Sequence, residues 1–159
     1  MGQKTLANWL KAVVIGVGIC GLLVFCLLIP SFGKELVERY PEFSGWYWPW
    51  LIFLWAVGIP CYAVIVLLLK IASKIAKNKS FSIENANYLK WISWIAAIDS
   101  AFFFAGNAVF MLLGMSHPGV LIGMMILLLF GIAISVAAAV LSHLVKKAAA
   151  LQEENDLTI

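Results

Sequence analysis

Four apolar runs, at positions 12–30, 46–69, 91–114 and 120–145, decide what this 159-residue chain can fold into. About 20 apolar residues, rising ~1.5 Å each, cross a hydrocarbon layer of about 30 Å, and each run is long enough to do so with some tilt. The first two carry no charge, the third carries Asp99 alone, and the fourth has only His143 before Lys146 and Lys147. A bilayer offers no partner to backbone N–H and C=O groups, so each run is expected to be a helix. A water-soluble alternative fails on composition. Hydrophobic residues make up 64% of the chain and charged residues 12%, against about 45–50% and about 25% in soluble domains, and a fold this small could not hide that surface. The expectation is an all-α integral membrane protein: a four-transmembrane-helix bundle forming one membrane domain over 1–159.

Orientation follows from the basic residues, because short loops rich in lysine and arginine stay in the cytoplasm. Lys4 and Lys11 precede the first run, Lys70, Lys74, Lys77, Lys79 and Lys90 lie between the second and third, and Lys146 and Lys147 follow the fourth. On the other side stand only Lys34 and Arg39, offset by Glu35, Glu38 and Glu42. Both termini are therefore predicted in the cytoplasm, with a cytoplasmic loop at 70–90 and a tail at 146–159. The first run resembles a secretory leader, but no small-residue cleavage site follows it, so it is read as a retained anchor. The net charge of +3 is assigned to lysines beside anionic lipid head groups, not to direct nucleic-acid binding.

Local signals refine this plan. The segment 31–45 reads as a short acidic outer loop leading into an aromatic belt of Trp46, Tyr47, Trp48 and Trp50, with Pro49 in a first helical turn. Trp9, Trp91 and Trp94 mark the inner boundary. Pro60 sits within the second run, where it removes the donor for the Ala56 carbonyl and should kink the helix. Lys70, Lys74 and Lys77 continue that helix as an amphipathic stub. Ser82 is a natural N-cap, and Glu84 places a negative charge in the positive first turn of the third helix. Residues 115–119 are short enough to make the last two helices an antiparallel hairpin. Strong helix formers at 148–154 predict that the fourth helix extends into the cytoplasm.

The sharpest chemical signal is Asp99. A carboxylate near the bilayer centre costs about 2.5–3.5 kcal/mol on insertion scales, and no lysine or arginine shares its predicted depth. Counted from the inner ends of the runs, that depth matches Gly18 and Cys20, Cys61, and residues 135–137. One reading is a protonated carboxyl bonded to Ser135 or to the carbonyl freed by Pro60, tying helices together. The other is a proton-responsive or ligand-contacting group, with Asn107 two turns outward on the same broad face. Small residues, Gly16, Gly18 and Gly21, Gly119 and Gly123, and the row Gly131, Ser135 and Ala139, predict close helix packing, within one bundle or between copies of the chain.

Other chemistry is poorly supported. Cys20, Cys26 and Cys61 all lie in apolar runs without a CxxC motif, so neither a disulfide framework nor a zinc site is expected. His117 and His143 are predicted on opposite sides of the membrane. There is no nucleophile elbow and no phosphate-binding glycine loop, so neither an enzyme nor a cofactor is expected.

Two stretches carry a family likeness: Phe81-Ser82-Ile83-Glu84-Asn85 ahead of the third helix, and the terminal 151–159 with Glu153, Glu154 and Asp156 in its acidic core. Together with four spans at this length, the chain resembles the bacterial membrane family called domain of unknown function 2975. The resemblance implies a small multi-pass protein of the bacterial inner membrane, often encoded beside a small helix-turn-helix regulator of the Cro type. By that analogy the partner would be held at Lys70, Lys74, Lys77, Lys79, Glu84 and the acidic tail. A non-enzymatic regulatory or sensory protein is therefore expected. The alternatives are a proton- or cation-coupled transporter subunit using Asp99 and a toxin- or bacteriocin-immunity protein.

Overall fold

The structure, a computed structural model, describes residues 2–116 and 118–157, with the side chains of Pro118, Asp156 and Leu157 outside that description. His117 and the last two residues of the acidic tail lie outside the described residues. The chain runs through α1 (Gln3–Leu23), a π-helical turn (Val24–Leu28), α2 (Ile29–Arg39), a 3-10 turn (Pro41–Trp46), α3 (Tyr47–Ile75), α4 (Ile83–Leu112) and α5 (Pro118–Leu157). These form four rods, each long and apolar enough to cross a membrane, and the described residues contain no strand. The architecture is all-α with four spans.

Within it, the helices stand in chain order. α1 and α2 pack on α3, α3 on α4 and α4 on α5, while α1 and α5 do not meet among the described residues. The bundle is open, and most of α5 faces outward. Such a row suits a bilayer, where lipid tails cover apolar side chains as well as protein does, so contacts depend on close packing and hydrogen bonds.

The segment 31–45, expected as a loop, is almost entirely helical. Helix continues through Pro30 because the preceding turn widens to the π form, in which the Ile29 N–H bonds to the Val24 carbonyl. The next donor in that series would be residue 30, which as proline has no N–H, leaving the Phe25 carbonyl over. Trp55 Nε1 of α3 donates to that oxygen at 2.9 Å. Trp55→Phe is expected to leave the carbonyl unpaired, at a cost of about 1–3 kcal/mol, read as a lowered melting temperature in detergent. Trp48→Phe, at an exposed ring, should be neutral.

α3 is continuous through Pro60. Its seam with α4 is aromatic at one end. Trp50 stacks on Phe110 with ring centroids 4.4 Å apart, its Nε1 donates to the Met115 carbonyl at 2.9 Å, and Phe53 lies parallel to Phe103 directly over Gly106. At the other end the buried residues Ile71, Ile92 and Ala138 link α3, α4 and α5.

α4 and α5 form the expected antiparallel hairpin, and serines set its register. Ser135 Oγ donates to the Ser93 carbonyl at 2.9 Å, Ser142 Oγ donates to the Ala86 carbonyl at 2.7 Å, and Gly131 leaves room for Ser100. Ala86, Ser93, Ser100 and Asn107 follow one another at seven-residue intervals, the spacing that keeps one helix face on a partner. The row expected as Gly131, Ser135 and Ala139 instead runs Gly131, Ser135, Ala138 and Ser142, with Ala139 exposed. Gly18 and Gly21 pack against Ile65 and Tyr62 of α3, whereas Gly16 and Gly123 face open space.

Both ends of the α3–α4 pair close in the same way. Asn78, with φ of 59°, donates to the Ile75 carbonyl, and Lys79 N–H donates to the Lys74 carbonyl. Gly114, with φ of 69°, donates to the Met111 carbonyl while Met115 N–H donates to the Phe110 carbonyl. Each is a Schellman cap, which needs a left-handed residue and takes glycine first and asparagine second.

Candidate functional site

The lysine-rich end of the α3–α4 pair is the most highly built polar region among the described residues. Ser82 caps α4 as expected, its Oγ accepting from the Asn85 N–H at 3.2 Å. Asn85, only 1% exposed, then turns its Nδ2 back to the carbonyls of Lys79 and Ser80 at 3.1 and 3.0 Å. Those carbonyls belong to the turn that the Asn78 cap begins. One side chain therefore fastens the whole connection between α3 and α4, and the Phe81 to Asn85 motif acquires a structural reason: cap, charge and staple within five residues.

The charge is Glu84. Its Oε2 accepts from Lys74 Nζ at 2.8 Å, closing the turn from the solvent side. α3 is about 43 Å long at ~1.5 Å per residue, longer than the hydrocarbon layer, so Lys74 and Glu84 emerge beyond the apolar part of their helices. Hydrogen bonding to Lys74 lowers the Glu84 pKa below its ordinary value, and the same bond raises that of Lys74. A depressed carboxylate contributes stability above its ordinary pKa and loses it as pH falls through the depressed value. A raised ammonium contributes below its ordinary pKa and loses it as pH rises through the raised value. The pair is thus fully formed between the ordinary carboxylate and lysine ranges. Lys74→Gln is expected to return the Glu84 titration, followed by the NMR shift of its carboxyl carbon, to the ordinary carboxylate range.

Neighbouring lysines face a groove. Lys70 Nζ lies 5.8 Å from the centre of the Tyr88 ring, and Lys70, Lys74 and Lys77 share the groove with Ser73 and Tyr88. Lys79 is exposed, its backbone engaged in the cap and the staple. Glu153 and Glu154 stand on the exposed far end of α5, and the Asp156 side chain lies outside the described residues.

Asp99, Asn107 and Ser135 do not form one site. Ser135 is taken up by Ser93, and neither of the alternative bonds offered for Asp99, to Ser135 or to the carbonyl freed by Pro60, forms among the described residues. Depth counting treated Trp91 and Val145 as level, but α4 begins at Ile83 and the serine contacts level Ala86 with Ser142. Asp99 therefore lies about two turns from Ser135 along the seam. It sits instead at the α3–α4 seam, level with Pro60, and within electrostatic range of Cys61. Its Oδ1 is buried without a hydrogen-bond partner. Asn107, 7% exposed, donates to the Phe103 carbonyl of its own helix at 2.7 Å, so it ties no two helices together. The side-chain bonds between α4 and α5 come from Ser135 and Ser142, whose seven-residue spacing was the available signal. Among the described residues no group of histidine, cysteine or acidic side chains could hold a metal ion.

A family described as "Protein of unknown function (DUF2975)" matches residues 31–159. The "Uncharacterized membrane protein YoaS" of Bacillus subtilis (strain 168) is 34% identical over 159 residues, covering 99% of this chain and 98% of that protein. No solved structure matches.

Proposed function

The chain belongs to that family of membrane proteins of unknown function, and we propose that it acts as a non-enzymatic regulatory or sensory protein of the bacterial inner membrane. In this reading both termini and the α3–α4 turn face the cytoplasm, where they hold a soluble partner. The small helix-turn-helix regulator implied by the family resemblance is the partner proposed.

One observation carries the reading. In the α3–α4 turn the enclosed Asn85 staples a seven-residue connection that a flexible linker would leave to solvent, and Lys74 pairs with Glu84 across it. A rigid, charged turn beside the projecting end of α5 is a surface suited to holding another molecule. A signal acts on such a device only by favouring one packing of the helices over another.

The test is co-purification from the native host in mild detergent. A DNA-binding protein is expected with the intact chain and not with a Lys74/Lys77/Lys79 charge reversal or a chain ending at Lys147. The competing reading, proton- or cation-coupled transport, draws on the unpartnered Asp99 oxygen. Absence of a soluble partner together with ion flux in proteoliposomes that Asp99→Asn abolishes would replace regulation with transport.

A further inference from the structure

The groove beside the α3–α4 turn has the chemistry of a lipid site. Val66, Leu69, Lys70, Ser73 and Lys77 fall on one stripe of α3, three or four residues apart along its surface. With Lys74 and with Tyr88 of α4 they line a cavity of about 390 Å³. Its composition is graded along the helix: Val66 and Leu69 close the apolar run of α3, and three ammonium groups follow within the next two turns. Val66 is half exposed. Glu84 is the carboxylate paired there, on Lys74, so the lysines around the groove carry a surplus of positive charge.

We propose that this groove binds an anionic phospholipid, its phosphate among Lys70, Lys74 and Lys77 and an acyl chain along Leu69 and Val66. The phosphate of a bilayer lipid lies where the hydrocarbon ends, and so do these lysines, beginning one residue beyond the apolar run. A soluble phosphate would use the ammonium groups but gain nothing from the apolar wall. The Tyr88 ring holds Lys70 at the mouth of the groove, where a freely solvated lysine would sample many rotamers. A phosphate that engages Lys74 competes with Glu84 and so acts on the stapled turn. That last consequence rests on the regulatory reading, whereas lipid binding does not.

The experiment places the full chain in phosphatidylcholine vesicles with trace spin-labelled phosphatidylglycerol or phosphatidylcholine, and measures the motionally restricted fraction by electron spin resonance. Phosphatidylglycerol is expected to be preferred. Lys70→Gln and Lys77→Gln should each lower the preference about fivefold, while Lys4→Gln and Lys147→Gln, away from the groove, lower it clearly less. Equal loss in all four variants, or no preference in the intact chain, would mean only a diffuse basic surface and would overturn the site. Millimolar inorganic phosphate should leave the preference intact. If it removes the preference at constant ionic strength, the groove takes free phosphate and the lipid assignment falls. Failure to capture a soluble partner leaves these readouts untouched, so the two proposals fail separately.

Discussion

Gly106→Val is expected to leave no monodisperse protein in detergent extracts, and Gly106→Ala to cost about 1–3 kcal/mol through overpacking. A side chain at this position would run into the Phe53 ring. That ring cannot step aside cheaply: it is 8% exposed, parallel to Phe103 at 5.9 Å and edge-on to both Trp50 and Phe110. Trp50 is itself bonded to the Met115 carbonyl, so displacement at one point disturbs the whole aromatic end of the α3–α4 seam. Size-exclusion profiles and thermal melts of the purified variants read the effect. Phe53→Leu placed in the Gly106→Ala chain should recover most of the loss. Gly16→Ala, which meets open space, should be neutral or slightly stabilising through helix propensity. A Gly106→Ala protein that melts with the parent would show that the seam does not hold the two helices as described.

Asn85→Ala is expected to release the α3–α4 turn at a cost of about 2 kcal/mol, because two part-buried hydrogen bonds are lost at about 1 kcal/mol each. The residue donates to two carbonyls and is almost completely enclosed. Hydrogen exchange is the most direct measurement, since amides from residue 76 to residue 86 should lose protection while those of the Ser93–Ser135 region keep theirs. Asn85→Asp should be at least as damaging, because it removes the donors and buries a charge. Asn78→Gly, by contrast, should be tolerated, since a left-handed cap accepts glycine most readily. If Asn85→Ala leaves exchange in the turn unchanged, the staple is not what orders it.

Much of this molecule follows from one-dimensional properties. Run length and the absence of charge are sufficient for four helices, because a helix satisfies its own backbone wherever lipid surrounds it. Ser82 and Glu84 declare a helix start within a few residues, and the short 115–119 segment forces the last two helices antiparallel. Asn85 stood in the quoted family motif, yet its role was not legible: the carbonyls it bonds belong to a turn whose shape depends on the left-handed backbone at Asn78. The helical course of 31–45, expected as a loop, was hidden for a similar reason. Proline predicts a helix end when only its own chain is considered, and the helix continues because the wider turn and Trp55 of another helix accommodate the missing donor.

Asp99 shows the same division at the candidate site. Its cost and its lack of a cationic partner could be read directly, since both depend on composition at one depth. Its neighbours could not, because two helices of known length may still slide along one another, and a shift of two turns exchanges Ser135 for other residues. That register was decided by close packing: Gly131 against Ser100, Ser135 on Ser93 and Ser142 on the Ala86 carbonyl. By itself, then, the sequence determined that four helices form and where each can lie in a bilayer. Only the tertiary structure decided that they stand in an open row, which serines join them, and that three lysines and a tyrosine share one groove, because those outcomes depend on side chains meeting across helices that sequence distance does not relate.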